Sequence, residues 1–360
     1  MYLIVTRSFP PELGGMQSLM WGLAREMSKN FMIKVFADYH NGHKIFDEQA
    51  NFSIERVGGI KFLRKIRKSQ LIDEFTKENK VKGIIADHWK SLEPLKSKNK
   101  KYCLIHGKEI NHPKGSGLNK RVLNVLNNVE KVIANSQYTK NLAIEIGVNE
   151  EKITVINPGV DPAKELNKKS LAKVESLLKI KKPRLITVSR FDKRKNHEKV
   201  IMSLRNLKQI YPDIVYICIG YGDEEENIKN LVKELDLVSQ VMFFKDISDE
   251  LKDALIASSN VFVMPSVIHK KSVEGFGIAY VEAAQYGVPS LGGKDGGAPD
   301  AIEHENTGVI CDGNSLDEIY SSLSSMLNSN KFVEYGKNAK SNSDKFLWSN
   351  IIEEYKKILS

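Results

Sequence analysis

Pro183-Arg-Leu-Ile-Thr-Val-Ser189, with Arg190-Phe-Asp-Lys-Arg-Lys-Asn196 behind it, decides the fold. A β-branched apolar run of strand length follows a proline, and an amphipathic stretch at 196–211 begins as soon as the run ends. It restarts a pattern that begins at the first residues. Runs 2–6, 33–37, 83–86, 102–105 and 131–134 are short and continuously apolar, and between the first two Leu19, Met20, Leu23 and Met27 recur at helical spacing. Beyond Pro183 the same reading gives strands at 184–189, 215–220, 240–244, 261–264 and 289–291, separated by helical stretches at 196–211, 224–235, 248–258 and 282–286. Strand and helix alternate throughout, so each half predicts an α/β domain with a doubly wound parallel sheet.

A chain of 360 residues suits two such domains. The boundary falls in Asn157-Pro-Gly-Val-Asp-Pro162, where two prolines and a glycine break any regular element. The reading is therefore a domain over 1–162, a second over 163–342, and a terminal helix at 343–360 packing back on the first. Ligands of open α/β sheets sit beyond the carboxyl ends of the strands, here expected to face a crevice between the domains. Composition is that of a folded soluble protein: 41% hydrophobic and 28% charged. The three cysteines, Cys103, Cys218 and Cys311, form no Cys-x-x-Cys pair, which argues against a disulfide framework or a cysteine zinc site. The N-terminus reads as no signal peptide and no apolar run reaches the roughly 18 residues of a membrane span, so a cytoplasmic protein is expected.

The net charge of +9 is a patch rather than an average. Residues 166–360 are neutral, while 56–101 alone carry an excess equal to that of the whole chain. Such a patch suits phosphate groups of a lipid or nucleic acid, or is a solvated lysine face. The segment lacks the aromatic interleaving of a stacking platform, so no nucleic-acid partner is expected.

Three constellations carry chemistry. Gly14 and Gly15 lie between the first strand and the first helix, where backbone and helix N-terminus can approach a phosphate; a plain turn is the alternative. Arg190, Lys193, Arg194 and Lys195 follow the strand at 184–189 and point cations into the crevice, Arg190 as a bidentate fork and Lys195 as a point charge for phosphate, with an exposed basic loop the alternative for Lys193 and Arg194. Glu274-Gly-Phe-Gly-Ile-Ala-Tyr-Val-Glu282 is the most informative. The amides of Phe276, Gly277 and Ile278 form an anion-binding helix start, Glu282 can accept from vicinal ribose hydroxyls, and Glu274 can hold a second polyhydroxylated group. The arrangement reads as sugar, diphosphate, nucleoside.

With these pieces, His106-Gly-Lys-Glu109, Asn135-Ser-Gln-Tyr-Thr-Lys140, Val155-Ile-Asn-Pro-Gly-Val-Asp161, Pro265-Ser266 and Gly287-Val-Pro289 in this order, the chain resembles a retaining glycosyltransferase of family 4 over nearly its whole length. The resemblance implies the GT-B fold, two Rossmann-like domains facing across a deep cleft, with the nucleotide-sugar donor on the second and the acceptor on the first. It further implies that Arg190 and Lys195 neutralise the leaving diphosphate, Glu274 binds the hexose, Glu282 the ribose, and Gly15 lies against the diphosphate. His106 would touch donor sugar or acceptor near the reacting centre, a buried structural histidine being the other reading. Three departures stand out: Lys195-Asn196 where Lys-Gly is frequent, Phe244-Lys245 where Phe-Gly is usual, and Asp300 where Glu is common.

No Asp-x-Asp pair is present to hold a divalent ion, so the sequence calls for no metal and no cofactor beyond the nucleotide sugar. The expected reaction is hexose transfer, from a UDP-sugar such as UDP-glucose sooner than a GDP-sugar, to a membrane lipid such as diacylglycerol or a phospholipid headgroup. Transfer to a cell-surface polysaccharide, a GT-B sugar-nucleotide epimerase and a silent sugar-nucleotide sensor are the competing readings. The lipid reading rests on the basic region 61–68, where Phe62, Leu63 and Ile66 share a helix face while Arg64, Lys65 and Lys68 point elsewhere; this resembles an interfacial element docking on the anionic inner face of the cell membrane.

Overall fold

The computed structural model describes residues 1–12, 14–179, 181–328 and 330–359, and at Lys61 and Phe62 the backbone alone. The placement of Phe62 on an apolar helix face, and Leu13 beside Gly14, lie outside the described residues. The chain divides into two compact units, Met1–Asp161 with Phe346–Ser360, and Pro162–Lys345.

The first unit holds strands β1 (Tyr2–Val5), β2 (Ile33–Asp38), β3 (Ser53–Val57), β4 (Gly83–Ala86), β5 (Lys100–Ile105), β6 (Lys131–Ala134) and β7 (Ile153–Val155). All pair in parallel in the order β3-β2-β1-β4-β5-β6-β7. Its helices are α1 (Gly15–Ser28), α2 (His43–Asp47), α3 (Lys61–Glu78), α4 (Trp89–Leu92), α5 (Gly117–Leu126), α6 (Gln137–Glu145) and the C-terminal helix, Trp348–Leu359. Side chains of a strand alternate between faces, and both faces here are covered. Leu3 and Val5 meet Ile72 of α3, Trp89 of α4 and Val122 of α5, whereas Tyr2 and Ile4 meet Leu19, Met20 and Leu23 of α1 with Trp348 and Tyr355 of the C-terminal helix.

The second unit repeats the plan with β8 (Arg184–Val188), β9 (Val215–Ile219), β10 (Val241–Phe244), β11 (Val261–Met264), β12 (Ser290–Gly293) and β13 (Gly308–Cys311), ordered β10-β9-β8-β11-β12-β13 and parallel throughout. Helices α7 (Lys168–Leu178), α8 (His197–Ile210), α9 (Glu225–Glu234), α10 (Asp249–Ala257), α11 (Ile278–Gln285), α12 (Ala298–Ala301), α13 (Leu316–Asn328) and α14 (Lys331–Ser343) complete it. The helix expected at 282–286 thus starts four residues earlier, at Ile278. Among the described residues no helix is long and apolar enough to cross a membrane.

Strand order reverses between β1 and β4 in one sheet and between β8 and β11 in the other. These switch points are where open α/β sheets leave a crevice for ligands.

The C-terminal helix is keyed into the first unit by one indole. A Cβ on Gly22 would fall 2.2 Å from Trp348 Nε1, and one on Gly159 would fall 2.3 Å from its ring. The indole therefore fills a slot that two missing side chains leave open, and Tyr2 Oη secures the helix end by donating to the Leu359 carbonyl. Trp348→Ala should cost about 3–5 kcal/mol of the first unit's stability. Gly22→Val should cost at least ~1–3 kcal/mol by overpacking the same slot. Urea unfolding followed by far-UV circular dichroism reads both; unchanged midpoints would refute the slot.

Candidate functional site

At the carboxyl end of β8 the chain leaves the sheet through Arg190 and buried Phe191, then makes a single tight turn at Lys193–Lys195. Asp192 closes that turn by accepting the Lys195 amide at 3.2 Å. Asn196 follows in the left-handed region with φ 62°, a conformation asparagine tolerates better than most residues. Its Nδ2 donates to the carbonyls of Pro265 at 2.9 Å and Gly313 at 2.8 Å. Asparagine here supplies the turn a glycine would, and adds two bonds that tie the loop to the chain just beyond β11 and β13.

The second loop, 274–277, leads into α11. Gly277 has φ 92°, and a Cβ there would lie 2.4 Å from the Tyr280 ring, so glycine is required on both counts. Tyr280 Oη donates to the Met264 carbonyl at 2.6 Å, and the Gly297 amide donates to the Glu274 carbonyl at 2.8 Å. Both ends of the loop are thus fixed to strand ends beside the switch point.

The two loops meet in a buried ion triad. Arg194 Nη1 donates to Glu274 Oε2 at 2.7 Å, and Lys195 Nζ donates to the same oxygen. Burial alone would raise the Glu274 carboxyl; the charges of Lys195 and Arg194 outweigh it and hold the group below the usual carboxylate range. Burial pulls the Lys195 ammonium down against the opposing attraction of Glu274.

Lys195 and Glu274 are therefore brought together as the sequence suggested, and the structure decides Arg194. Open to reading as part of an exposed loop, it is buried at 8% exposure and completes the triad. The signal was available in Asp192, whose cap winds the Lys-Arg-Lys run into one turn and sends its side chains in different directions. Arg190, by contrast, is exposed and has no partner among the described residues. Phe276 is buried, Ile278 begins α11, and Glu282 lies half-buried on the next turn, where burial raises its carboxyl against the pull of Lys252.

In the first unit Gly14 and Gly15 are exposed at the start of α1, with nothing within 4 Å of a Cβ on Gly15. His106 ends β5; its amide donates to Glu109 Oε1 at 2.6 Å, while its Nε2 is buried without a partner beside the equally unpartnered Asn135 Oδ1. The basic region 61–68 departs from an outward-facing cationic stripe. Lys68 is buried and donates to the Thr6 carbonyl at 2.7 Å and to Asp38, Arg64 donates to Asp38 at 2.9 Å, and Lys65 to Glu93 at 2.6 Å. Ile60, Leu63 and Ile66 face solvent at 75%, 51% and 39% exposure. The first turns of the helix hold Arg64, Lys65 and Lys68 in ion pairs and leave Leu63 and Ile66 outward, while Ile72 further along packs in the core.

Two family models match in succession: Glycosyltransferase Family 4 over residues 13–164 and Glycosyl transferases group 1 over 169–345. Among curated relatives, the GDP-mannose-dependent alpha-(1-6)-phosphatidylinositol monomannoside mannosyltransferase of Mycolicibacterium smegmatis is 26% identical, covering 90% of this chain and 88% of its own. The GDP-mannose-dependent monoacylated alpha-(1-6)-phosphatidylinositol monomannoside mannosyltransferase of Corynebacterium glutamicum is 23% identical over the same shares. Among solved structures, Anabaena HepE in complex with UDP superposes with a TM-score of 0.84 at 20% identity over 99% of both chains. The fold is GT-B, and the activity is that of a glycosyltransferase drawing on a nucleotide sugar.

Removing Arg194 takes a charged hydrogen-bond partner from buried Glu274 while Lys195 stays in place, so Arg194→Ala should cost about 1–3 kcal/mol, whereas Arg190→Ala should stay within about 0.5 kcal/mol of wild type. Denaturant unfolding separates the two; equal losses would contradict the burial difference. Glu274 binds fewer protons in the folded state than in the unfolded chain, so its contribution is in force above the unfolded value and lost as pH falls through the folded one. Glu274→Gln should therefore flatten the acid limb of the stability profile, and an unaltered limb would speak against the depressed carboxyl.

Proposed function

We propose, for a chain that belongs to glycosyltransferase family 4, that it transfers mannose from GDP-mannose to a lipid-borne hydroxyl with retention of configuration. The observation that carries the donor reading is the triad of Arg194, Lys195 and Glu274 at the switch point of the second sheet, beside the N-terminus of α11. Together with Arg190, three cations stand against the carboxylates of Glu274 and Asp192, a positive surplus that suits an anionic diphosphate. Arg190 and Lys195 take up negative charge on the departing diphosphate, and Phe276, Gly277 and Ile278 offer it backbone N–H groups. Glu274 orients the hexose through its second oxygen, and Glu282 accepts from the ribose hydroxyls.

Retention follows if acceptor and leaving group share one face of the sugar, the departing phosphate taking the acceptor's proton as an oxocarbenium-like sugar forms. Catalysis is then positioning and charge stabilisation. Mannose and guanine are favoured over the UDP-glucose expected from sequence because long-range relatives name GDP-mannose as their donor. The same relatives act on phosphatidylinositol mannosides, which with the aliphatic stripe Ile60, Leu63, Ile66 favours a lipid acceptor and peripheral attachment to the membrane.

Titration of GDP-mannose, UDP-glucose and ADP-glucose should give at least tenfold tighter binding of GDP-mannose, and product NMR should show an α-linkage. UDP-glucose preference would overturn the donor, and a β-linkage the stereochemistry. Consumption of GDP-mannose without any acceptor would point instead to an epimerase. Arg190→Ala should lower kcat about 10²–10³-fold with folding intact.

Substituting Ile60, Leu63 and Ile66 together by Ser should reduce transfer to vesicle-embedded acceptor while sparing a deacylated, water-soluble one. Equal loss on both acceptors would remove the membrane role of the stripe.

A further inference from the structure

A cavity of about 520 Å³ opens at the other switch point, that of the first sheet. Its size falls in the range of small-molecule sites, roughly 300–1,000 Å³. Arg7 projects from the end of β1, Asp38 from the end of β2, and Lys90 and Ser91 from α4 after β4; Lys65 and Lys68 of α3 and Arg121 of α5 complete the wall.

The charges around it do not cancel. Glu93 is taken up by Arg121, at 2.7 and 2.9 Å, and by Lys65. Asp38 is taken up by Arg64 and Lys68. Asp87, beneath the end of β1, accepts from the Thr6 hydroxyl at 2.7 Å and the Arg7 amide at 2.9 Å. Among the described residues the Arg7 guanidinium and the Lys90 ammonium are in no ion pair; Lys90 feels Glu93 only at longer range, and its Nζ lies 5.2 Å from the Trp89 ring. Beside them Ser91, 8% exposed, has a buried hydroxyl with no hydrogen-bond partner.

The surroundings register the surplus. Burial, then the charges of Arg7 and Lys90, push the His88 imidazole down to about 3, so it stays neutral and adds no further cation. Lys90 is likewise lowered by burial and by Arg7, Arg121 and Lys65.

We propose that this cavity is a phosphate-ester site, in which Arg7 and Lys90 bind the anionic oxygens, the Ser91 hydroxyl donates to a third, and the ester anchors an acceptor alcohol. An arginine fork fits two phosphate oxygens at once, and a lysine supplies a point charge without a fixed direction. The ion pairs to Asp38 and Glu93 hold Lys65, Lys68 and Arg121 as a rigid rim rather than as ligands. The proposal rests on reading the chain as a transferase and names the chemistry of its acceptor: a phosphate-bearing alcohol, of which a phospholipid headgroup and a free phosphorylated polyol are two sources.

The test is calorimetric, on the full chain, with inorganic phosphate, sn-glycerol 3-phosphate and chloride as probes, in wild type, Arg7→Gln and Lys90→Gln. Phosphate and glycerol 3-phosphate should bind, with at least a tenfold loss of affinity in each variant and no change in GDP affinity. Neither side chain has an ion-pair partner, so both variants should melt at or above the wild-type temperature, which excludes misfolding as the cause. Phosphate affinity unchanged in the variants, or no stronger than that of chloride, overturns the site. Failure of wild type to bind any nucleotide while phosphate binding and its loss in the variants persist would count against the transferase reading and leave the phosphate site standing. Co-sedimentation then separates the sources. Retention on phosphatidylglycerol but not phosphatidylcholine vesicles, lost in Arg7→Gln, identifies a lipid headgroup; no retention, with glycerol 3-phosphate still bound, identifies a soluble ester.

Discussion

One carboxylate organises the second unit. Glu274 lies in a place where an isolated charge would be strongly disfavoured, and it persists there because two cations from a different loop converge on a single oxygen. Neither loop could keep its shape if the other moved. The turn carrying Arg194 and Lys195 is fixed by Asp192 and Asn196, and the loop carrying Glu274 is fixed by Tyr280 and by close backbone contact with 296–297, where added Cβ atoms would collide with the carbonyls of Glu274 and Gly275 at 2.4 and 2.1 Å. The result is a set of charges and amides whose reorganisation is already complete before a ligand arrives, which is the condition under which electrostatic stabilisation of a leaving group is most effective.

The two sheets obey the same topological rule and treat charge in opposite ways. In the second unit two of the cations are matched by a buried carboxylate and the third, Arg190, stands free at the surface. In the first unit the carboxylates Asp38 and Glu93 are occupied by rim cations, and the unmatched pair, Arg7 and Lys90, faces a cavity. The triad keeps a net positive charge and, with Arg190 beside it, suits a leaving group that gains negative charge during reaction. An unneutralised pair suits a group whose charge stays constant and serves only to hold its bearer in place.

The fold was legible wherever a strand is buried on both faces, because such strands read as continuous apolar runs. What escaped were β3, β7 and β13, and all three are sheet edges. An edge strand has one neighbour and borrows polar residues, as Glu55 and Arg56 in β3 show, so the run that marks a central strand is broken. The site was legible to the level of the loop. Lys195 and Glu274 meet in one cluster at the strand end that their flanking residues marked, but the burial of Arg194 depended on a cap. Asp192 winds three residues into a turn, and which side chain then points inward is a matter of tens of degrees that spacing along the chain does not encode.

Helix α3 shows the same limit more sharply. Its sequence presents cations and aliphatic residues at separate angles, and sequence alone favours cations in water with aliphatic groups against the sheet. Ile72 and Phe75 do pack against the sheet, but Lys68 joins them on the inner face because the ends of β1 and β2 offer the Thr6 carbonyl and the Asp38 carboxylate there, and a lysine can bury its methylenes while its ammonium reaches both. Lys68 is thereby desolvated, which lowers its pKa even against the attraction of Asp38. Once that register is set, Ile60, Leu63 and Ile66 have nowhere to go but outward, and Lys65 necessarily stands on the rim of the cavity. A single buried lysine therefore fixes both the charge lining of the first unit's pocket and the aliphatic stripe on its surface, so the two features arise together and neither can be altered by sequence without disturbing the other.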